Sequence, residues 1–81
     1  MLIQNGKKKY KNIKGDSGVQ SYEIGADFII VQFINDGSYL YNHQIPGSSH
    51  IERMKKLAVK GKGLSTYIST NIKKRYAKKI N

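Results

Sequence analysis

The stretch "DFIIVQFINDGSYLYNHQIP", Asp27 to Pro46, decides the fold. Its first half, "DFIIVQFI", is the strongest apolar run in the chain and is rich in β-branched and aromatic residues, which suit a pleated, half-buried surface. Side chains alternate across a strand, so Ile29, Val31 and Phe33 share one face. Phe28, Ile30 and Ile34 share the other, interrupted by Gln32. This pattern predicts a strand buried on one side and half-covered on the other. "NDGS" follows as a turn, because Asp-Gly readily takes positive φ. "YLYNHQI" is then a second strand of the pair, with Tyr39, Tyr41 and His43 on one side and Leu40 and Asn42 on the other. Pro46 has no backbone N–H to donate and ends the sheet region.

Upstream of this hairpin, "VQSYEI" reads as another strand. Residues 1–16 read as a flexible basic arm, since Lys7, Lys8, Lys9, Lys11 and Lys14 crowd together with little to bury. Residues 17–81 read as a single domain. Downstream, Ser49 with Glu52 three residues later has the form of a capping box, and Ile51, Met54, Leu57 and Ala58 make the buried stripe of a helix. Gly61 stops that helix as a left-handed C′ residue. A second helix is expected from about Leu64, with Leu64, Tyr67, Ile68, Ile72 and Tyr76 on a drifting face. The expected architecture is α+β: a three-stranded antiparallel meander followed by two α-helices packed on the sheet.

The chain has 81 residues, 38% of them hydrophobic, which suffices for one small core and not for two. It has no Cys, which excludes disulfides and thiolate chemistry. Fifteen basic against five acidic residues give a net charge of +10, a balance that attracts phosphates or another anionic surface. Lys greatly outnumbers Arg, and Ile, Asn and Tyr are plentiful, a composition also produced by an AT-rich genome such as that of many phages and mobile elements. No apolar run reaches the roughly 20 residues of a membrane span. "MLIQNGKKKYKNIKG" has no apolar core after its lysines, unlike a secretory signal, so the expectation is a cytoplasmic protein without a membrane partner.

"GKGLST", Gly61 to Thr66, invites comparison with a Walker loop and departs from it. That motif needs Gly-Lys directly before Ser or Thr, after a strand. Here Gly63 and Leu64 separate Lys62 from Ser65, and a helix precedes. Two readings stay open. In one, the segment is a tight connection between helices, its glycines supplying unusual dihedrals. In the other it holds a phosphate, with Lys60 and Lys62 for charge, Gly61 and Gly63 for backbone access, and Ser65 and Thr66 as hydroxyl donors. Lys73, Lys74 and Arg75 form a further basic cluster that serves either as a phosphate contact or as a solvated helix end.

From about Ser17 to Ile80 the chain resembles the KTSC domain, a small family named for the C-terminal region of some lysyl-tRNA synthetases. The residues that carry the resemblance are Ile29-x-Val31-x-Phe33, Gly37-x-Tyr39-x-Tyr41, Ile45-Pro46, Ala58, "GKGLSTYI" and "NIKKRY", in that order. Lys60 stands where the family commonly carries Ser. The resemblance implies three strands and two helices, together with a role in RNA binding. It implies no catalytic residue.

The chemistry-bearing residues point to binding. The acids Asp16, Glu23, Asp27, Asp36 and Glu52 are scattered, and Asp27 and Asp36 flank one strand as turn residues. His43 and His50 make no metal set without Cys or a nearby acidic pair, and Ser65 has no evident base. The expectation is a non-enzymatic protein with neither cofactor nor metal. Its first candidate ligand is RNA or single-stranded nucleic acid, with Tyr39, Tyr41 and Tyr76 as stacking platforms worth about 1–3 kcal/mol per base. A second candidate is a nucleotide or cyclic-oligonucleotide signal, sequestered in a basic pocket that a homo-oligomer could complete. A third is a protein–protein module, such as a small inhibitor docking on an acidic or nucleic-acid-binding surface, since the free edges of a three-stranded meander would suit dimerisation or strand addition.

Overall fold

The computed structural model describes residues 6–15 and 17–81. The fold is α+β, one antiparallel sheet of five strands in the order β1-β2-β3-β4-β5, with the helices on one face. Its strands are β1 (Lys8–Lys9), β2 (Val19–Ile24), β3 (Phe28–Phe33), β4 (Gly37–Asn42) and β5 (Lys78–Lys79). The central three are the expected meander, with Ile29 opposite Tyr41 and Val31 opposite both Tyr22 and Tyr39. The two outer strands are additions to it. They hold two lysines apiece and carry no apolar alternation, so a pattern based on burial does not mark them.

The period-two reading of β3 holds. Ile29 and Val31 are fully buried under the helices, whereas Phe28, Ile30 and Gln32 on the opposite face are half-buried. On that open face Ser21 donates a hydrogen bond from its hydroxyl to Oε1 of Gln32 at 3.0 Å, which satisfies both groups across two strands. Gly37 takes φ 91° after Asp36, as the Asp-Gly turn requires. β4 stops at Asn42, short of His43, because the Asn42 Oδ1 accepts the N–H groups of Gln44 (3.0 Å) and Ile45 (2.9 Å) and turns the chain. His43 is therefore a turn residue and not a strand neighbour of the tyrosines.

Helix α1 (Ser48–Lys60) buries Ile51, Met54 and Ala58, with Leu57 half-buried beside them. No capping box forms. The N-cap is Gly47, whose backbone leads directly into the helix, and the Glu52 carboxylate turns instead to His43 Nε2 (3.4 Å) and Lys55 Nζ (3.5 Å). The C-terminus is as expected. Gly61 sits at φ 86°, ψ 16° and its N–H donates to the Leu57 carbonyl at 2.9 Å.

Helix α2 is shorter than its apolar spacing predicts. It runs over Leu64–Tyr67 and continues as a π-helical turn over Ile68–Ile72. Ile68 and Ile72 both enter the core, at 6% and 0% exposure. Tyr76 lies beyond it, in the chain leading to β5, and so does not continue the helical face.

The basic segment before the meander is not a free arm where it is described. Lys8 and Lys9 pair with Tyr22 and Ser21, and Tyr10 is buried in the core at 2% exposure. One aromatic among lysines is enough to dock it, because the ring fills space beside Leu64 while the lysines stay in water. The remainder of the expected arm, residues 1–5 and Asp16, lies outside the described residues.

Candidate functional site

Two concavities share Ser17 on their rims. The first has a volume of about 330 Å³ and lies between the β1–β2 loop and the α1–α2 turn. It gathers Lys60, Lys62, Gly63, Ser65 and Thr66 from the glycine–lysine segment and adds Tyr10, Asn12, Lys14, Ser17 and Leu57. The loop that delivers Lys14 is clipped to the end of α1. The Ile13 N–H donates to the Gly61 carbonyl at 2.9 Å, and the Lys11 stem packs over the Gly61 α-carbon. Asn12 takes φ 54° and its Oδ1 accepts the Ser17 N–H at 3.0 Å, closing the loop on itself. Three lysines thus line one hollow, and among the described residues no carboxylate lines it.

The second is a groove of about 710 Å³ beside the π-helical turn. Phe33, Tyr39, Tyr41, Ile68 and Tyr76 form its apolar surface, and Lys73 and Lys74 stand at its side. Tyr39 packs against Tyr76 with ring centroids 4.6 Å apart and against Phe33 at 5.8 Å. The Tyr39 hydroxyl donates to Asp36 Oδ2 at 3.0 Å, and Lys79 Nζ sits 5.5 Å from its ring centroid. Desolvation first, and the Asp36 contact second, hold the Tyr39 phenol above its ordinary value, so it stays neutral.

Two rare backbone features meet at this groove. The π-helical turn is one. The other is Lys73, at φ 56°, ψ −119°, a conformation that favours glycine. It is the first central residue of a tight turn whose Arg75 N–H donates to the Ile72 carbonyl at 3.0 Å. Holding a side chain there costs roughly 1–3 kcal/mol. The packing of Ile72, which is fully buried, supplies the restraint.

Several residues expected at the site are elsewhere. Tyr41 is 2% exposed and forms only the floor of the groove, so it offers no face on which a base could stack, and burial pushes its phenol well above the ordinary value. Arg75 lines neither concavity. Its Nη2 donates to the Asn71 carbonyl at 2.6 Å, which turns the guanidinium back onto the end of the π turn. Gly61 is buried against Lys11 and serves the chain reversal rather than a ligand. Lys60, Lys62, Gly63, Ser65 and Thr66 are brought together in one cavity, and Lys73 and Lys74 with Tyr39 and Tyr76 in the other. The residues that sequence reasoning missed are Tyr10, Asn12, Lys14 and Ser17, together with Phe33. Asn12 and Gly15 were the available signal, since both residue types accept the positive φ that folds a loop back.

His50 is accounted for by structure, its Nδ1 lying 2.6 Å from the Tyr67 hydroxyl. Among the described residues no cluster of His, Asp or Glu has the form of a metal site, and no helix is long and apolar enough to cross a membrane. Comparison of the chain with protein-family models, with curated proteins and with solved structures finds no match.

Proposed function

We propose that this is a non-enzymatic binding protein for RNA or single-stranded nucleic acid. The observation that carries the reading is the groove in which Tyr39 and Tyr76 lie beside Lys73 and Lys74. Single strands are held by the pairing of an apolar platform for bases with cations for the backbone. A duplex would hide its bases from such a platform. Lys73 adds weight, because a lysine kept in a glycine-like conformation at the edge of the groove is unfavourable for folding alone. The net charge of +10 supports the same ligand class. The resemblance to the KTSC domain favours RNA over DNA.

The test is fluorescence anisotropy of a labelled ten-nucleotide strand, RNA and DNA in parallel, across a salt series. If about four phosphates are neutralised, affinity falls about 50-fold between about 50 and about 200 mM salt. Tyr76→Ala weakens binding about tenfold at every salt concentration, as loss of one stacking platform should. A strand that does not bind at low salt, or binds with no salt dependence, refutes the reading.

A further inference from the structure

The smaller cavity offers more positive charge than the backbone of a strand can use. An internal phosphodiester carries one negative charge and two free oxygens. Lys14, Lys60 and Lys62 bring three cations, and Ser65 and Thr66 bring two hydroxyls that make no side-chain hydrogen bond among the described residues. A phosphate monoester, with a charge of about −1.5 to −2 at pH 7 and three terminal oxygens, matches that donor set better.

A second observation comes from the cavity wall. Tyr10 is 2% exposed and lines the cavity. Its hydroxyl accepts the Leu64 N–H at 3.3 Å, and among the described residues nothing accepts the proton that the hydroxyl itself carries. The hydroxyl has that one partner and is not orphaned, and its proton is left for an acceptor in the cavity that Tyr10 lines. The cavity volume of about 330 Å³ lies at the lower end for a ligand site, with room for a phosphate and an adjoining sugar but not for a run of nucleotides. The larger aromatic groove begins on the other side of Ser17.

We propose that the cavity lined by Tyr10, Lys14, Lys60 and Lys62 is a phosphate-monoester site that takes the terminal phosphate of the bound strand. The proposal rests on the single-strand reading and deepens it: the protein recognises an end, with the terminal phosphate in the cavity and the neighbouring bases in the groove. Tyr10 donates to a phosphate oxygen, Lys14 closes the site from the β1–β2 loop, and Lys60 and Lys62 hold it from the α1–α2 turn.

The experiment measures full-length protein against one ten-nucleotide sequence bearing a 5′-phosphate, a 3′-phosphate or hydroxyls at both ends, with the matching nucleoside monophosphate as a fourth probe. One phosphorylated strand should bind about tenfold more tightly than the hydroxyl-ended strand, the effect of a few charge-assisted hydrogen bonds. Lys14→Gln, an exposed change that leaves the core untouched, should remove that preference, read as the ratio of phosphorylated to hydroxyl-ended affinity within the same variant. Tyr10→Phe should reduce the preference and keep the ring that packs the core. If all three ends bind equally, the inference is wrong and the single-strand reading stands. If no strand binds, both are wrong. A preference that survives Lys14→Gln and Tyr10→Phe places the phosphate elsewhere and overturns the assignment. A monophosphate that binds as tightly as the strand also overturns it, in favour of a small-nucleotide pocket.

Discussion

Both helical segments end on a residue of positive φ, and they do so in opposite ways. The first ends on Gly61 at φ 86°, where the absence of a Cβ makes the left-handed cap cheap and lets Lys11 pack directly on the α-carbon. The second ends on Lys73 at φ 56°, where a bulky side chain holds a conformation it does not prefer. The glycine end closes the cavity of three lysines, and the lysine end opens onto the aromatic groove. One end follows local preference and anchors the N-terminal loop. The other opposes local preference and presents a cation. The difference separates a part of the molecule that follows local backbone preference from a part that is held against it.

The largest effect is expected from making the first end resemble the second. Gly61→Ala forces a Cβ into φ 86° and to within 2.6 Å of the Lys11 Cβ. Folding stability should fall by about 2 kcal/mol, read as a lower urea midpoint with an unchanged slope. A neutral substitution would show that the loop yields freely and that the clip between the β1–β2 loop and α1 does not order the cavity. A smaller, opposite effect is expected from making the second end resemble the first. Lys73→Gly should raise stability by about 1 kcal/mol, the relief of strain less the added freedom of the unfolded chain. It should also weaken single-strand binding several-fold. If stability does not rise, the turn is not strained. If it rises and binding is unchanged, the strain has no bearing on the ligand.

The smallest effect concerns Glu52, away from both ends. Its carboxyl is held below its ordinary value, first by the hydrogen bond to His43 and then by Lys55. A depressed folded value means that the contribution is present above the unfolded value of about 4.3 and is lost as pH falls through the folded one. Glu52→Gln should therefore be slightly less stable than the parent at neutral pH, and the difference should close as pH falls through the folded value, which flattens the acid limb. The pair is exposed, so thermal midpoints measured from pH 6 down to pH 3 suffice to see it. An identical acid limb in the variant would mean that the contact contributes nothing.

How far the sequence could be read depends on whether burial or docking made each element. β2, β3, β4 and α1 were legible because each buries one face of a periodic pattern, and Gly61 was legible because a left-handed cap needs it. β1 and β5 exist only because longer strands lie beside them, and two lysines in a row leave no periodic trace. The second helix was overextended because the spacing of Ile68 and Ile72 suits an α-helix as well as a π turn, and only the packed core decides between them. The pair Lys60 and Lys62 was visible at the site. Tyr10 and Lys14 were not, because their place depends on a hydrogen bond from Ile13 to Gly61, 48 residues further along the chain. Tyr41 was misread because a tyrosine on a strand looks the same whether its ring faces water or a helix.

The lysine-only edge strands have a consequence for how the molecule keeps to itself. Fibrils and edge-to-edge polymers grow where a sheet ends in a long, flat, uncharged strand that can template the next. Each edge here offers two residues of backbone and a pair of ammonium groups. An incoming identical edge meets like charge before it can complete a ladder, so propagation is opposed at both margins of the sheet. The lysines of the two edges thereby act as gatekeepers against self-templating growth.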